Sequence, residues 1–178
     1  MNYQRLSRYI GLPLLGLFGL CMITRCVVFN VSGSMPVGLY WKIAADEITA
    51  GDRVIACLPA DLSKAAYDRG ILNKSSLCAH GYEPLLKQVI ATAKDHVVVD
   101  HQHIIVNGQA HPAPVSSDER IPRYLGTSNF NRIGVWLYGS GNPKNSWDAR
   151  YFGALNINNI HSAVRALWVS TTTKEDYA

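Results

Sequence analysis

Residues 85–108 read LLKQVIATAKDHVVVDHQHIIVNG, and their rhythm decides the fold class. Leu85–Ala91 is a β-rich run in which only Lys87 and Gln88 are polar. Residues 96–108 then form two strands around Asp100-His101-Gln102, and Asn107-Gly108 signals a second hairpin. Toward the N-terminus, Arg53–Cys57 reads as a strand stopped by Pro59 and preceded by the turn Ala50-Gly51-Asp52. Val37–Ile43 is another strand, and residues 60–70 read as a short helix ending at Gly70. Toward the C-terminus, the Pro-, Ser-, Arg- and Asn-rich segment 111–132 reads as a long loop. Ile133–Tyr138 and a segment around Val164–Val169 are further strands. Many short strands without βα alternation predict a mostly β, antiparallel, barrel-like domain.

The chain has 178 residues, enough for one globular domain with a real core. Its hydrophobic content of 48% is high for a soluble domain because the excess lies at the N-terminus. Net charge is +4 with no basic run, which argues against a nucleic-acid partner. From Tyr9 to Phe29 the only charge is Arg25. A helix needs about 20 apolar residues to cross a bilayer, so this stretch spans if Arg25 snorkels to the far interface. Arg5 and Arg8 flank the near side and keep the N-terminus cytoplasmic. The expected division is a cytoplasmic 1–8, a transmembrane anchor 9–29 and a periplasmic domain 30–178. No small-residue cleavage site precedes Ser32, which favours an uncleaved anchor over a secretory signal. Leu20 before Cys21 argues against a lipoprotein.

Cys21 and Cys26 fall in the apolar span and read as small hydrophobic residues. Cys57 and Cys78 lie in the exported part, where oxidation is permitted, so a Cys57–Cys78 disulfide is expected. Neither has zinc-like spacing, and the pair His101 and His103 lacks a third ligand, so neither a metal nor a cofactor is expected.

The chemistry concentrates in three stretches. Residues 32–41, SGSMPVGLYW, place Ser34 between Gly33 and Met35 just beyond the span. Gly33 allows close backbone approach, and Pro36 stiffens the turn. A serine is a weak nucleophile until a base takes its proton. On a strand, Lys87 shares a face with Leu85 and Val89, and both faces are largely apolar. Burial there lowers a lysine pKa and makes a neutral amine available. In residues 145–153, NSWDARYFG, the alternation of Ser146, Asp148 and Arg150 puts all three on one face if the segment is extended. A serine there can orient the lysine, with the Asp148–Arg150 pair bracing the wall. Taken singly these are bland: an edge-strand lysine, a hairpin loop, a surface ion pair worth little.

Together and in order, SGSMP after an apolar span, GDRV, LLKQVI and NSWDARYFG resemble the type I signal peptidases, a family of serine–lysine proteases. The resemblance runs from the span to about Gly153. SMPVGLYW, the exported cysteines, VNG at 106–108, PRY at 122–124 and DARYFG at 148–153 look most like the TraF-type branch of conjugative DNA transfer. The resemblance implies Ser34 as nucleophile and Lys87 as general base. It also implies that Ser32 and the Ser34 amide form an oxyanion hole, that Ser146 orients Lys87, and that Asp148 and Arg150 support the site. The implied fold is an antiparallel β domain following one transmembrane helix, with a hydrophobic surface on the membrane.

The chain departs from the housekeeping enzymes in having Pro36 directly after Met35. It also has Gly139-Ser140-Gly141-Asn142 where they open the last motif with Gly-Asp-Asn, and it lacks their large second domain. A membrane-inserted pilin precursor is therefore the expected substrate, cleaved or cyclised through an acyl-enzyme at the bacterial inner membrane. Inner-membrane lipid and other components of a type IV secretion system are the expected company. The alternatives are a housekeeping signal peptidase and a non-catalytic, membrane-anchored β module of an export machine.

Overall fold

The computed structural model describes residues 14, 17, 24–113, 124–129, 134–141 and 146–170, with the backbone alone for 126–129. The run predicted as a membrane anchor lies largely outside the described residues. Among the described residues no helix is long and apolar enough to cross a membrane. The far end of that run is not helical beyond Cys26, because Val27–Asn30 is strand β1. Its β-branched and aromatic side chains suit a strand, and it pairs antiparallel with Leu39–Trp41 and Gly38. The span predicted to end at Phe29 thus gives way to the sheet three residues earlier.

The remaining elements follow the predicted order. They are β2 (Gly38–Ile43), β3 (Arg53–Ala56), helix α1 (Ala60–Asp68) and β4 (Leu85–Ala91). Next come β5 (His96–Val99), β6 (His103–Val106), β7 (Gln109–Pro112), β8 (Gly126–Asn129) and β9 (Gly134–Tyr138). A short helix α2 (Ala149–Phe152), β10 (Leu155–Asn156) and β11 (Ile160–Val169) complete the described chain. Every strand pair is antiparallel. Seven strands form one sheet in the order β1-β2-β11-β3-β4-β9-β10, and four form a second, β7-β6-β5-β8. The mostly β, antiparallel expectation is met.

Two local expectations change. The predicted loop 111–132 contains strand β8, which pairs with β5 although Gly-Thr-Ser-Asn is a poor strand sequence. The edge of β5 supplies its partners, and tertiary pairing overrides weak propensity. The NSWDARYFG segment is not extended throughout. Asp148 caps helix α2, its side chain accepting from the Arg150 amide at 3.2 Å, which satisfies an orphan helix-end donor.

Strand β4 divides the core. Leu85 and Val89 face a cluster with Val54, Leu137 and Ala163. Leu86, on the opposite face, packs with Tyr40, Ile55 and Val164. Lys87 has the same parity as Leu85 and Val89, and it is carried into the buried side.

Candidate active site

Ser34 is delivered by the turn between β1 and β2. Asn30, the last residue of β1, makes four of the hydrogen bonds that hold that turn. Its Nδ2 donates to the carbonyls of Ser32 (3.0 Å), Met35 (3.1 Å) and Pro36 (3.1 Å). Its Oδ1 accepts from the Ser32 amide at 3.1 Å. Behind the turn runs Gly139-Ser140-Gly141, where the Gly141 amide donates to the Ser34 carbonyl at 3.0 Å. A Cβ on Gly141 would lie 2.5 Å from the Gly33 carbonyl oxygen, so only glycine allows this approach.

Lys87 arrives from β4, opposite Val54 of β3. Its Nζ lies 2.6 Å from Ser34 Oγ, and each residue is only 3% exposed. Burial pushes the lysine pKa down to about 8, with Asp148 opposing the shift and Arg150 adding to it. An amine held there is substantially neutral in mildly alkaline water. Ser32, largely exposed, places Oγ 2.9 Å from Ser34 Oγ. The Ser34 amide donates to that same Ser32 Oγ at 3.3 Å.

Asp148 and Arg150 form a fully buried, two-pronged pair rather than a surface one. Arg150 Nε donates to Asp148 Oδ1 at 2.7 Å and Nη2 to Oδ2 at 2.9 Å. Nη2 also donates to the Ser146 carbonyl at 3.0 Å, and the Gly139 amide donates to Asp148 Oδ2 at 3.0 Å. The pair therefore ties the Ser146 segment to the end of β9 beside the Ser34 turn. Removing one partner of such a pair costs about 3–5 kcal/mol, because a buried charge is stranded.

Ser146 does not make the hydrogen bond expected of it. Its Oγ is buried with no partner among the described residues, and the side chain packs over Gly139, where a Cβ would lie 2.1 Å from Oγ. Cys57 and Cys78 form a disulfide as expected. Among the described residues no group of His, Cys, Asp and Glu side chains is arranged to hold a metal.

A cleft of about 350 Å³ opens onto Ser34 and Lys87. Val28 and Phe29 of β1, Leu86 and Lys87 of β4, Ile55 of β3 and Trp147 line it. Strand β9 pairs with β4 only from Gln88 onward, so the Leu85–Lys87 edge has no strand partner on that side among the described residues. Such an edge can accept an extended peptide by main-chain hydrogen bonding.

Sequence alone does not mark Asn30, Gly139 and Gly141 as supports of the Ser34 turn. Asn four residues before a turn serine, and Gly-x-Gly straight after an apolar strand, are weak signals because their partners lie elsewhere in the chain.

Residues 12–169 match the family Signal peptidase, peptidase S26. The chain is 31% identical over 173 residues to a plasmid transfer protein TraF of Escherichia coli, covering 92% of this chain and 96% of that protein. It is 32% identical over 152 residues to the conjugal transfer protein TraF of Agrobacterium tumefaciens (strain 15955), covering 82% and 84% respectively. Among solved structures, a signal peptidase I of Enterococcus faecalis V583 aligns with a TM-score of 0.40 and 14% identity, over 67% of this chain and 98% of that one.

Proposed function

The chain belongs to the signal peptidase S26 family, and from that premise we propose that it is a membrane-anchored serine endopeptidase of a conjugative transfer system. Its substrate is an exported, membrane-inserted pilin precursor, and Ser34 and Lys87 carry the reaction. The observation that supports this most is the 2.6 Å contact between a buried amine and a serine hydroxyl at the mouth of a peptide-sized cleft.

Lys87 Nζ takes the proton of Ser34 as Oγ attacks the scissile carbonyl. The developing oxyanion is met by the Ser34 amide and the Ser32 hydroxyl, and the amide gives up only a long 3.3 Å bond to do so. Lys87 then returns the proton to the departing amine, leaving an acyl-enzyme. Water attacks the ester to release a trimmed linear product. The substrate's own N-terminal amine attacking instead releases a ring, and Ser34 regains its proton either way.

The apolar stretch proposed as the anchor, 9–29 less the residues that join β1 from Val27, serves as a single inner-membrane anchor with a cytoplasmic N-terminus, and the peptidase domain is periplasmic. The helix gives way to β1 at Val27, and Ser34 follows seven residues later. At no more than roughly 3.6 Å per residue the nucleophile stays within about 25 Å of the helix end. A scissile bond beside a substrate's own membrane segment reaches such a site by diffusion in the plane of the membrane.

The test is the mass of the mature pilin in cells carrying each variant. Ser34→Ala is expected to leave the precursor uncut, and Lys87→Arg to slow processing roughly 10²–10⁴-fold, since a guanidinium cannot accept the proton. Processing at the wild-type rate by Lys87→Arg overturns the dyad. A product lighter by one water than the trimmed linear chain identifies ring closure.

A further inference from the structure

The segment between α1 and β4 folds against the same cleft, and the hydrolytic chemistry gives it no task. Helix α1 ends with Gly70 at φ 69°, and the chain then turns back toward the sheet. Leu72 and Tyr82 root the segment in the core. A narrow ladder closes it: the Glu83 amide donates to the Asn73 carbonyl, the Ser75 amide donates to the Gly81 carbonyl, both at 3.0 Å, and Lys74 bridges Tyr82. The Lys74 ammonium also lies 3.8 Å from the centre of the Tyr82 ring. Near the tip, Cys78 is covalently joined to Cys57 at the end of β3.

What this held segment presents to the cleft is mostly apolar, namely Ile71, Leu72, Leu77 and Pro84, with the charged Glu83 at its base. Ile71 and Leu77 line it together with Cys57, and Leu77 is 67% exposed. A lone exposed leucine is ordinary on a protein surface. This one shares a cleft with Ser34 and Lys87, on a segment whose position is set by a disulfide, a ladder and two core anchors. Trp147, on the same cleft, keeps a buried indole N–H with no hydrogen-bond partner among the described residues. An apolar wall beside an unpartnered donor and an open strand edge matches an extended peptide, with side chains for the wall and carbonyls for the donors.

We propose that the disulfide-tethered segment Ile71–Cys78 is a specificity wall of the cleft, which receives an aliphatic side chain of an extended peptide through Leu77 and Ile71. The identity of the occupant rests on the peptidase reading. The tether matters because a wall that moves freely must be ordered on each binding event, and that ordering subtracts from affinity.

The experiment uses the full chain in detergent with Ser34→Ala, so that binding is measured without turnover. The probes are blocked decapeptides of alanine and serine, each carrying one leucine moved position by position. Calorimetric titration is expected to find a position where leucine tightens binding about tenfold over the leucine-free parent, the gain from burying most of one such side chain. Leu77→Ser, an exposed substitution that leaves the core untouched, is expected to remove that gain, so that the leucine peptide binds no more tightly than its leucine-free parent. Reduction of Cys57–Cys78 with dithiothreitol is expected to do the same. The wall is overturned if no position shows the gain, if Leu77→Ser retains it, or if it survives reduction. Cleavage of the same peptides by the protein with Ser34 intact is scored separately. A leucine gain without any cleavage defeats the peptidase reading and leaves the wall standing, whereas cleavage without a leucine gain defeats the wall alone.

Discussion

Lys87 is placed against its own charge. Folding moves its pKa from 10.5 to about 8, so the sign of its effect on stability is defined. Between about pH 8 and 10.5 the unfolded chain binds a proton that the folded chain does not, and stability rises with pH through that window. Below it, the folded protein carries an ammonium in an apolar setting at a cost of roughly 3 kcal/mol. Two outcomes follow. The kcat/KM for peptide cleavage rises tenfold per pH unit at acidic and neutral pH and levels off above about 8. Lys87→Met is inactive yet more stable than wild type in urea at pH 7, by up to about 3 kcal/mol, and the advantage fades by pH 10.5. An equal advantage at both pH values contradicts a buried, depressed amine. Strand parity made this residue legible in the sequence, because Leu85 and Val89 flank it on the same face. The distance to Ser34 was not legible, since 53 positions of chain separate the two.

At the scale of elements, the Ser34 turn is held by its surroundings as well as by its own residues. Asn30 clamps it from the end of β1, and Gly141 donates to the Ser34 carbonyl from beyond β9. A methyl group on Gly141 has no room against the Gly33 carbonyl, and the turn must shift to admit it. Displacing a reacting atom by about 1 Å can cost 10²-fold in rate. Gly141→Ala is therefore expected to lower kcat about 10²-fold, with unchanged far-ultraviolet circular dichroism and little change in KM. Wild-type kcat for this variant shows that the turn does not depend on the backing segment. The same scale explains the misread stretch at 145–153. Alternation suggested a strand, but Asp148 caps a helical turn and pairs with Arg150 inside the core. Asp is as much a capping residue as a strand-face one, and periodicity over three positions does not separate the two.

For the molecule as a whole, one cluster gathers around Val54 on the seven-stranded sheet, and a second forms where Ile90, Trp136 and Tyr138 of that sheet meet Val97 and Ile104 of the other. The disulfide closes a 21-residue separation outside both. Closing a loop of that length removes about 3 kcal/mol of unfolded-state entropy. Changing both Cys57 and Cys78 to Ala is expected to lower unfolding stability in urea by about that amount. A difference below about 0.5 kcal/mol argues that the segment is held by Leu72 and Tyr82 alone. The sequence by itself determined the β class, the order and approximate bounds of most strands, the short helix and the pairing of Cys57 with Cys78. The elements follow from neighbours a few residues apart: alternation, turn residues, a β-rich run. The cysteine pairing follows from composition, since these are the two cysteines beyond the apolar run. The sequence also singled out Ser34, Lys87, Asp148 and Arg150, through residue types in order along the chain. Only the tertiary structure decided that the buried Lys87 Nζ meets Ser34 Oγ, that Ser146 packs over Gly139 instead of bonding the amine, and that a segment past α1 lines the cleft. Those outcomes depend on strands distant in sequence lying side by side, and local pattern carries no record of which surfaces a sheet will bring together.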